Sequence, residues 1–236
     1  MKPLRIKITN RFNGVKSGFY SFIGPVAYYA LRERDYGCIY YCDGILCARL
    51  FSLVLGQHVT RTSFDYSSIA SPFFEECARR GLRVLVLGGK PSEAKAFSEH
   101  LLERFPSLTQ ECIDGYPPEG FQATTVNSLS GKLIEDKVDV LLLALGSPLQ
   151  ERIGQQLIAN GFPGTIITAG AFVTQTVLAG NLGTYYPGWI NALHLRFLWR
   201  LIHEPHTRSR FKHVLSFPFS YATDRLRGRV LVTLAN

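Results

Sequence analysis

The sequence has no CxxC pair and no Cys/His array of zinc spacing, and its cysteines, Cys38, Cys42, Cys47, Cys77 and Cys112, are odd in number. They read as reduced thiols of a cytosolic protein, which leaves metal binding through cysteine without support. No DxD carboxylate pair and no histidine pair of ligand spacing occurs either, so a divalent metal held by the protein is unsupported. "LGGKPSEA" is neither GxGxxG nor GxxxxGK[ST], which counts against dinucleotide-dependent redox chemistry and P-loop hydrolysis. The GxSxG elbow of α/β-hydrolases is missing as well. No charged, apolar, then small-residue signal opens the chain, and no uncharged apolar stretch reaches the roughly 18 residues of a spanning helix. The expectation is a protein that is not secreted by that route and does not cross a bilayer. Solenoid repeats and low-complexity segments are absent.

What is present is a chain of 236 residues with a formal net charge of +8. That length suits one domain, or one domain with an appendage. The charge suggests an anionic partner: nucleic acid, acidic lipid or a phosphorylated ligand. The excess belongs to the C-terminal end, where Arg196, Arg200, Arg208, Arg210, Lys212, Arg225, Arg227 and Arg229 face only Glu204 and Asp224.

"LRVLVLGG" (82–89) is a buried-strand pattern closed by glycines, and "SEAKAFSEHLLERF" after it has helical spacing. "VDVLLLALG" with "PLQERIGQQLIANG", then "GTIITAG" with "AFVTQTVLAG", repeat the arrangement. Alternating strands and helices predict a doubly wound parallel α/β sheet with right-handed crossovers. Upstream, "RIKIT" and "CIYYCDG" read as strands and "PVAYYALRER" as a helix. After Gly183 the pattern changes to "YYPGWINALHLRFLWRLIHEP", a turn and a helix that Pro205 ends. Arg196, Arg200 and His203 make a basic stripe on that helix. The reading is an α/β core over residues 1–183 and a basic C-terminal helical appendage over 184–236.

Ligands bind such sheets beyond the carboxyl ends of the strands. Gly88-Gly89, Gly146-Ser147, Gly170-Ala171 and Asp43 all fall there. In "LGSPLQER" (145–152), Ser147 suits an N-cap, Pro148 the first helical position and Gln150 a capping box. The same helix start offers free N–H groups and a dipole to a phosphate, while Glu151 in its first turn suits sugar or ribose hydroxyls. Capping and ligand binding both stand at this point. Asp43 lies among apolar and aromatic neighbours, where a carboxylate is costly without a partner or a role. It reads either as a general base or as the stabiliser of its Asp-Gly turn. Asp65, Asp114 and Asp139, in turns or at a strand's start, are weaker candidates. Gln175, one turn into the helix after Gly170, either contacts ligand or packs. Arg200 and Arg210 are candidates to neutralise a phosphate leaving group, set against a solvated or lipid-facing basic surface.

"RVLVLGGKPSEAKAFSEHLLERFPSL", "DGY", "VDVLLLALGSPLQE", "TAGAFVTQTVLAG" and "YYPGWINALHLRFLWRLIHEP", in that order, resemble the WecG/TagA/CpsF glycosyltransferases over roughly residues 38–211. The resemblance implies a Rossmann-like α/β core with a C-terminal appendage. It also implies an inverting, metal-independent transfer of a sugar from a UDP-sugar to a polyprenyl-diphosphate-linked saccharide. The reaction would serve bacterial surface polysaccharide synthesis, with the enzyme held peripherally on the cytoplasmic membrane face. No cofactor and no nucleic acid are implied. It places the catalytic aspartate on Asp43, the nucleotide-sugar loop on Gly146, Ser147, Pro148, Gln150 and Glu151, and the diphosphate-gripping arginines on Arg200 and Arg210. Gly170 and Gln175 join the substrate-binding set. The sequence departs from the family pattern at Thr176, where an aspartate is usual, at Thr207-Arg208, where an arginine is common one place earlier, and near the N terminus. There Ser21 or Phe22 stands close to a family threonine.

Two other classes remain as alternatives from sequence. A UDP-sugar-binding regulatory protein would bind donor without transfer, and a nucleic-acid-binding module would use the basic stripe. The second ranks last because no nucleic-acid fold signature accompanies the charge.

Overall fold

The central strands are short runs of Val, Leu and Ile that have no polar face, and such runs are stable only with helices on both sides. The computed structural model describes residues 4–180, 187–193 and 211–235, with Leu195, Leu198, Trp199 and Ile202 between the last two segments. The described strands are β1 (Leu4–Thr9), β2 (Phe19–Ile23), β3 (Ile39–Cys42), β4 (Arg83–Gly88), β5 (Thr109–Ile113), β6 (Val140–Ala144), β7 (Thr165–Thr168) and β8 (Val230–Leu234). They form one sheet in the order β5-β4-β6-β7-β2-β3-β1-β8. Every neighbouring pair is parallel.

The helices are α1 (Pro25–Leu31), α2 (Ile45–Leu55), α3 (Ala70–Arg79), α4 (Pro91–Arg104), α5 (Ala123–Glu135), α6 (Leu149–Ala159), α7 (Phe172–Ala179), α8 (Gly188–Ala192) and α9 (Phe211–Leu226). Strand alternation sends Leu141 and Leu143 of β6 into one core with α1, α2, α5, α6 and α9. Val140, Leu142 and Ala144 enter a second core with α3, α4 and α7 on the opposite face. The doubly wound parallel architecture expected from the sequence is therefore the one observed.

Between β3 and β4 the chain crosses from one face to the other and from one half of the sheet to the other. β2 and β7 meet where the two halves join. Their carboxyl ends, with those of β3 and β6, open on a single edge, the place where parallel sheets bind ligands.

The C-terminal region corrects one expectation. The appendage read from residue 184 does not run to the end of the chain, because α9 and β8 belong to the core. Phe217 and Tyr221 of α9 are buried against Tyr28 and Phe51, with ring centroids 5.3–6.4 Å apart. β8 pairs with β1 from Leu4↔Val230 to Ile8↔Leu234 and forms the edge of the sheet. Of the helix expected after "YYPG", α8 is described, and most of the remainder lies outside the described residues.

Asp224 ties α9 to α1. Its carboxylate accepts a hydrogen bond from Tyr28 Oη at 2.8 Å and from Arg32 Nη1 at 3.2 Å, and Arg229 Nη1 lies 3.8 Å away. Burial and that carboxylate push the Tyr28 phenol well above its ordinary value, so it stays protonated as a donor. Asp224→Ala strands the buried phenol and is expected to cost about 2–4 kcal/mol, read as a lower midpoint in urea with an unchanged slope.

Candidate active site

Asp43 follows the last residue of β3, and its backbone N–H donates to the Ile23 carbonyl at the end of β2, 2.7 Å away. The two strand ends approach so closely that a Cβ on Gly24 would lie 2.5 Å from the Asp43 carbonyl oxygen. Glycine at 24 is thus what lets β2 and β3 end side by side. The Asp43 side chain is 48% exposed at the sheet's carboxyl edge, and Arg61 Nη2 lies 3.7 Å from its Oδ1. A carboxylate that is open to solvent on one side and faces a cation on the other can accept a proton from an incoming hydroxyl.

Sequence reasoning missed Arg61. An isolated bridge to Cys42 brings it there, together with a hydrogen bond from Thr62 N to the Cys42 carbonyl at 2.8 Å. Its guanidinium also donates to Ser63 Oγ at 3.0 Å. Ser63 donates to Asp65 Oδ2 at 2.6 Å, and Asp65 accepts from Ser67 N at 2.9 Å. Asp65, a weaker candidate by sequence, is thus part of the brace behind Arg61. The available signal was the Ser/Asp-rich composition of "RTSFDYSS", which marks a hydrogen-bonded loop without saying what it touches.

The "GSPLQE" segment is built differently from a capping box. Helix α6 begins at Leu149, with Pro148 at the N-cap and no side-chain cap. Ser147 sits one position too early, and its hydroxyl donates instead to Glu151 Oε1 at 2.8 Å. Gln150 is buried, and its Oε1 accepts from two turns at once: Gly146 N at 3.2 Å and Gly170 N at 3.1 Å. Its amide nitrogen donates to Glu151 Oε1 at 3.0 Å and to Ser147 Oγ at 3.2 Å.

Glu151 does not stand open to a ligand as the first-turn reading had it. It has no exposed surface, and its Oε1 also accepts from Ser21 Oγ at 2.7 Å. Ser21 is buried on β2 and accepts from Thr168 Oγ1 of β7 at 3.0 Å. Glu151 Oε2 has no hydrogen-bond partner among the described residues. Gln150 and Glu151 therefore underlie the mouth, and Ser147, Pro148 and Leu149 surface around it.

Gly146 and Gly170 have φ of 78° and 58°, which favour glycine, and among the described residues nothing lies within 4 Å of where a Cβ would project from either. Both turns thus offer backbone to open space. Gln175 is partly buried in α7, with its N–H on the Ala171 carbonyl. Thr176 is buried, so the residue at the family's aspartate position faces the interior. Arg200 and Arg210, like Arg196 and Arg208, lie outside the described residues.

Burial pushes the thiols of Cys77 and Cys112 up to about 12 and raises those of Cys38 and Cys47 well above the ordinary thiol value. None of these four supplies a thiolate nucleophile at neutral pH. Among the described residues, no three His, Cys, Asp or Glu side chains gather as a metal-ligand set.

A Shigella boydii protein named UDP-Gal:alpha-D-GlcNAc-diphosphoundecaprenol beta-1,4-galactosyltransferase is 30% identical over 201 residues, covering 83% of this chain and 81% of that protein. Residues 30–230 match the glycosyl transferase WecG/TagA/CpsF family, a span that takes in α9 and the start of β8 as well as the motifs read from sequence. With its parallel α/β core, the chain is a glycosyltransferase and belongs to the WecG/TagA/CpsF family.

Proposed function

We propose that this glycosyltransferase moves a hexose from a UDP-sugar to a polyprenyl-diphosphate-linked saccharide, with inversion and without a metal, in bacterial surface polysaccharide synthesis. The observation that carries the reading is Asp43, a half-exposed carboxylate at the sheet's carboxyl edge beside Arg61. The Shigella relative supplies the substrate chemistry: a UDP-linked galactose as donor and GlcNAc on a diphosphate lipid as acceptor. UDP-galactose carries its sugar in α linkage and that relative's product is β, so an inverting displacement is the matching chemistry.

In the proposed step Asp43 takes the proton from the acceptor hydroxyl while the hydroxyl oxygen attacks the anomeric carbon opposite the UDP oxygen. The bond to UDP breaks as the new glycosidic bond forms, and the diphosphate leaves with the electron pair. The open Gly146 and Gly170 turns are assigned to the donor side. Arg200 and Arg210 keep their assignment to the diphosphate, since a fixed cation does there what a metal ion otherwise would.

A lipid-linked acceptor requires an approach to the bilayer, and no described helix is long and apolar enough to cross one. Helix α9 supports peripheral association. Opposite its buried face, Phe211, Leu215, Phe219 and Leu226 form an exposed apolar stripe, with Phe219 83% and Leu226 89% exposed. Lys212, Arg225 and Arg227 lie exposed alongside it. Apolar side chains with flanking cations suit the headgroup region of an anionic membrane on the cytoplasmic face.

Three outcomes follow. With UDP-galactose and a GlcNAc-diphosphate lipid, Asp43→Asn is expected to lower turnover roughly a hundredfold to ten-thousandfold with the fold intact, and wild-type activity is expected to persist in EDTA. Near-wild-type turnover in the variant refutes the base assignment, and a strict magnesium requirement refutes the arginine mechanism. In vesicle flotation, Leu215→Ser with Phe219→Ser is expected to lower binding to anionic vesicles by about tenfold or more, the equivalent of about 1.4 kcal/mol. Unchanged flotation removes α9 from the membrane contact.

A further inference from the structure

A primary amide is polar at both ends, and which end faces which neighbour is decided by what those neighbours donate or accept. Around Gln150 the neighbours leave no choice. On one side stand two backbone donors, Gly146 N and Gly170 N, both within 3.2 Å of Oε1. On the other stands the Glu151 Oε1 acceptor, 3.0 Å from Nε2. Turned over, the amide would set donor against donor and acceptor against acceptor.

We propose that Gln150 and Glu151 are positioning residues of the transfer reaction. Gln150 brackets the Gly146 and Gly170 turns at a fixed separation, and Glu151 fixes which end of the Gln150 amide faces them. Both turns are glycines at positive φ with no side chain to brace them and open space in front. One amide oxygen shared between them joins the β6 turn to the β7 turn. Glu151 is held in turn from two directions, by Ser147 and by Ser21, and Ser21 is joined to Thr168 of β7. The spacing of the mouth is thus set by side chains that never reach its surface. Among the described residues, one carboxyl oxygen does all of Glu151's accepting and the other has no partner. A glutamine at 151 keeps the accepting oxygen, so the role needs an acceptor in that place and does not need a charge.

The donor-side part of this inference rests on the proposed function, and two readouts separate them. The first is amide hydrogen exchange of the segments containing Gly146 and Gly170, with the β6 amides as internal reference for global opening. The second is KM for UDP-galactose and for a GlcNAc-diphosphate lipid, measured separately. Glu151→Gln is expected to keep slow exchange at both turns and both KM values within about threefold of wild type. Gln150→Met and Glu151→Leu are expected to speed exchange at the two turns by about tenfold or more, relative to β6. They are also expected to raise donor KM by about tenfold while acceptor KM changes less than about twofold.

Exchange in Gln150→Met that matches wild type at both turns overturns the bracket, and so does acceleration no greater than that of β6. Glu151→Gln as impaired as Glu151→Leu overturns the orienting role, because the charge would then be what matters. Faster exchange at the turns with acceptor KM raised in place of donor KM keeps the bracket and refutes the donor assignment. Failure of wild-type protein to bind UDP-galactose or UDP also refutes that assignment, and the exchange comparison still decides the bracket.

Discussion

A carboxyl group sealed inside an apolar layer has to find hydrogen-bond donors from its own chain, and the donors that Glu151 recruits tie separate elements together. Ser21 comes from β2, Ser147 and Gln150 from the turn that opens α6, and Thr168 from β7 at one remove. Apolar packing alone is non-directional and tolerates small slips between helix and sheet. Hydrogen bonds of fixed length do not. The polar chain between α6 and the sheet converts a general tendency of β2, β6 and β7 to pack into one particular arrangement of their ends.

Asp43 is held by separate means. Its backbone is fixed by the close approach of β2 and β3, and its carboxylate faces Arg61, which a Ser63–Asp65–Ser67 chain steadies from the loop between α2 and α3. Among the described residues, Asp43 and the glycine turns are therefore braced by separate sets of side chains.

Legibility in the sequence followed burial. β4, β6 and β7 were readable because strands covered on both faces must be continuous apolar runs, and the helices after them carry plain 3.6-residue periodicity. β8 was not. "VLVTL" is a short edge strand that alternates in exposure and follows "RLRGR", so composition assigned it to a basic appendage. Asp43 stood out because a carboxylate among apolar and aromatic neighbours is costly without a partner or a role. Arg61 did not, because its place depends on one bridge between distant segments that no local pattern encodes. In "GSPLQE" the residue types were right and the roles were not. Helix start rules pair Ser147 with Gln150 through the backbone, and a helix beginning at Leu149 pairs them through their side chains, above a carboxyl group that local rules expect in solvent.

The pairing of β8 with β1 has a consequence for how the protein is made. β1 is synthesised long before β8, yet the two lie side by side with five residues in register. Until β8 is made, β1 presents an unpaired edge, the kind of surface that invites pairing with another chain. Contacts between segments so far apart in sequence also carry a large loop-closure cost, which slows their formation. A premature stop just before β8 would leave the predicted catalytic residues intact and still release a chain with an open sheet edge.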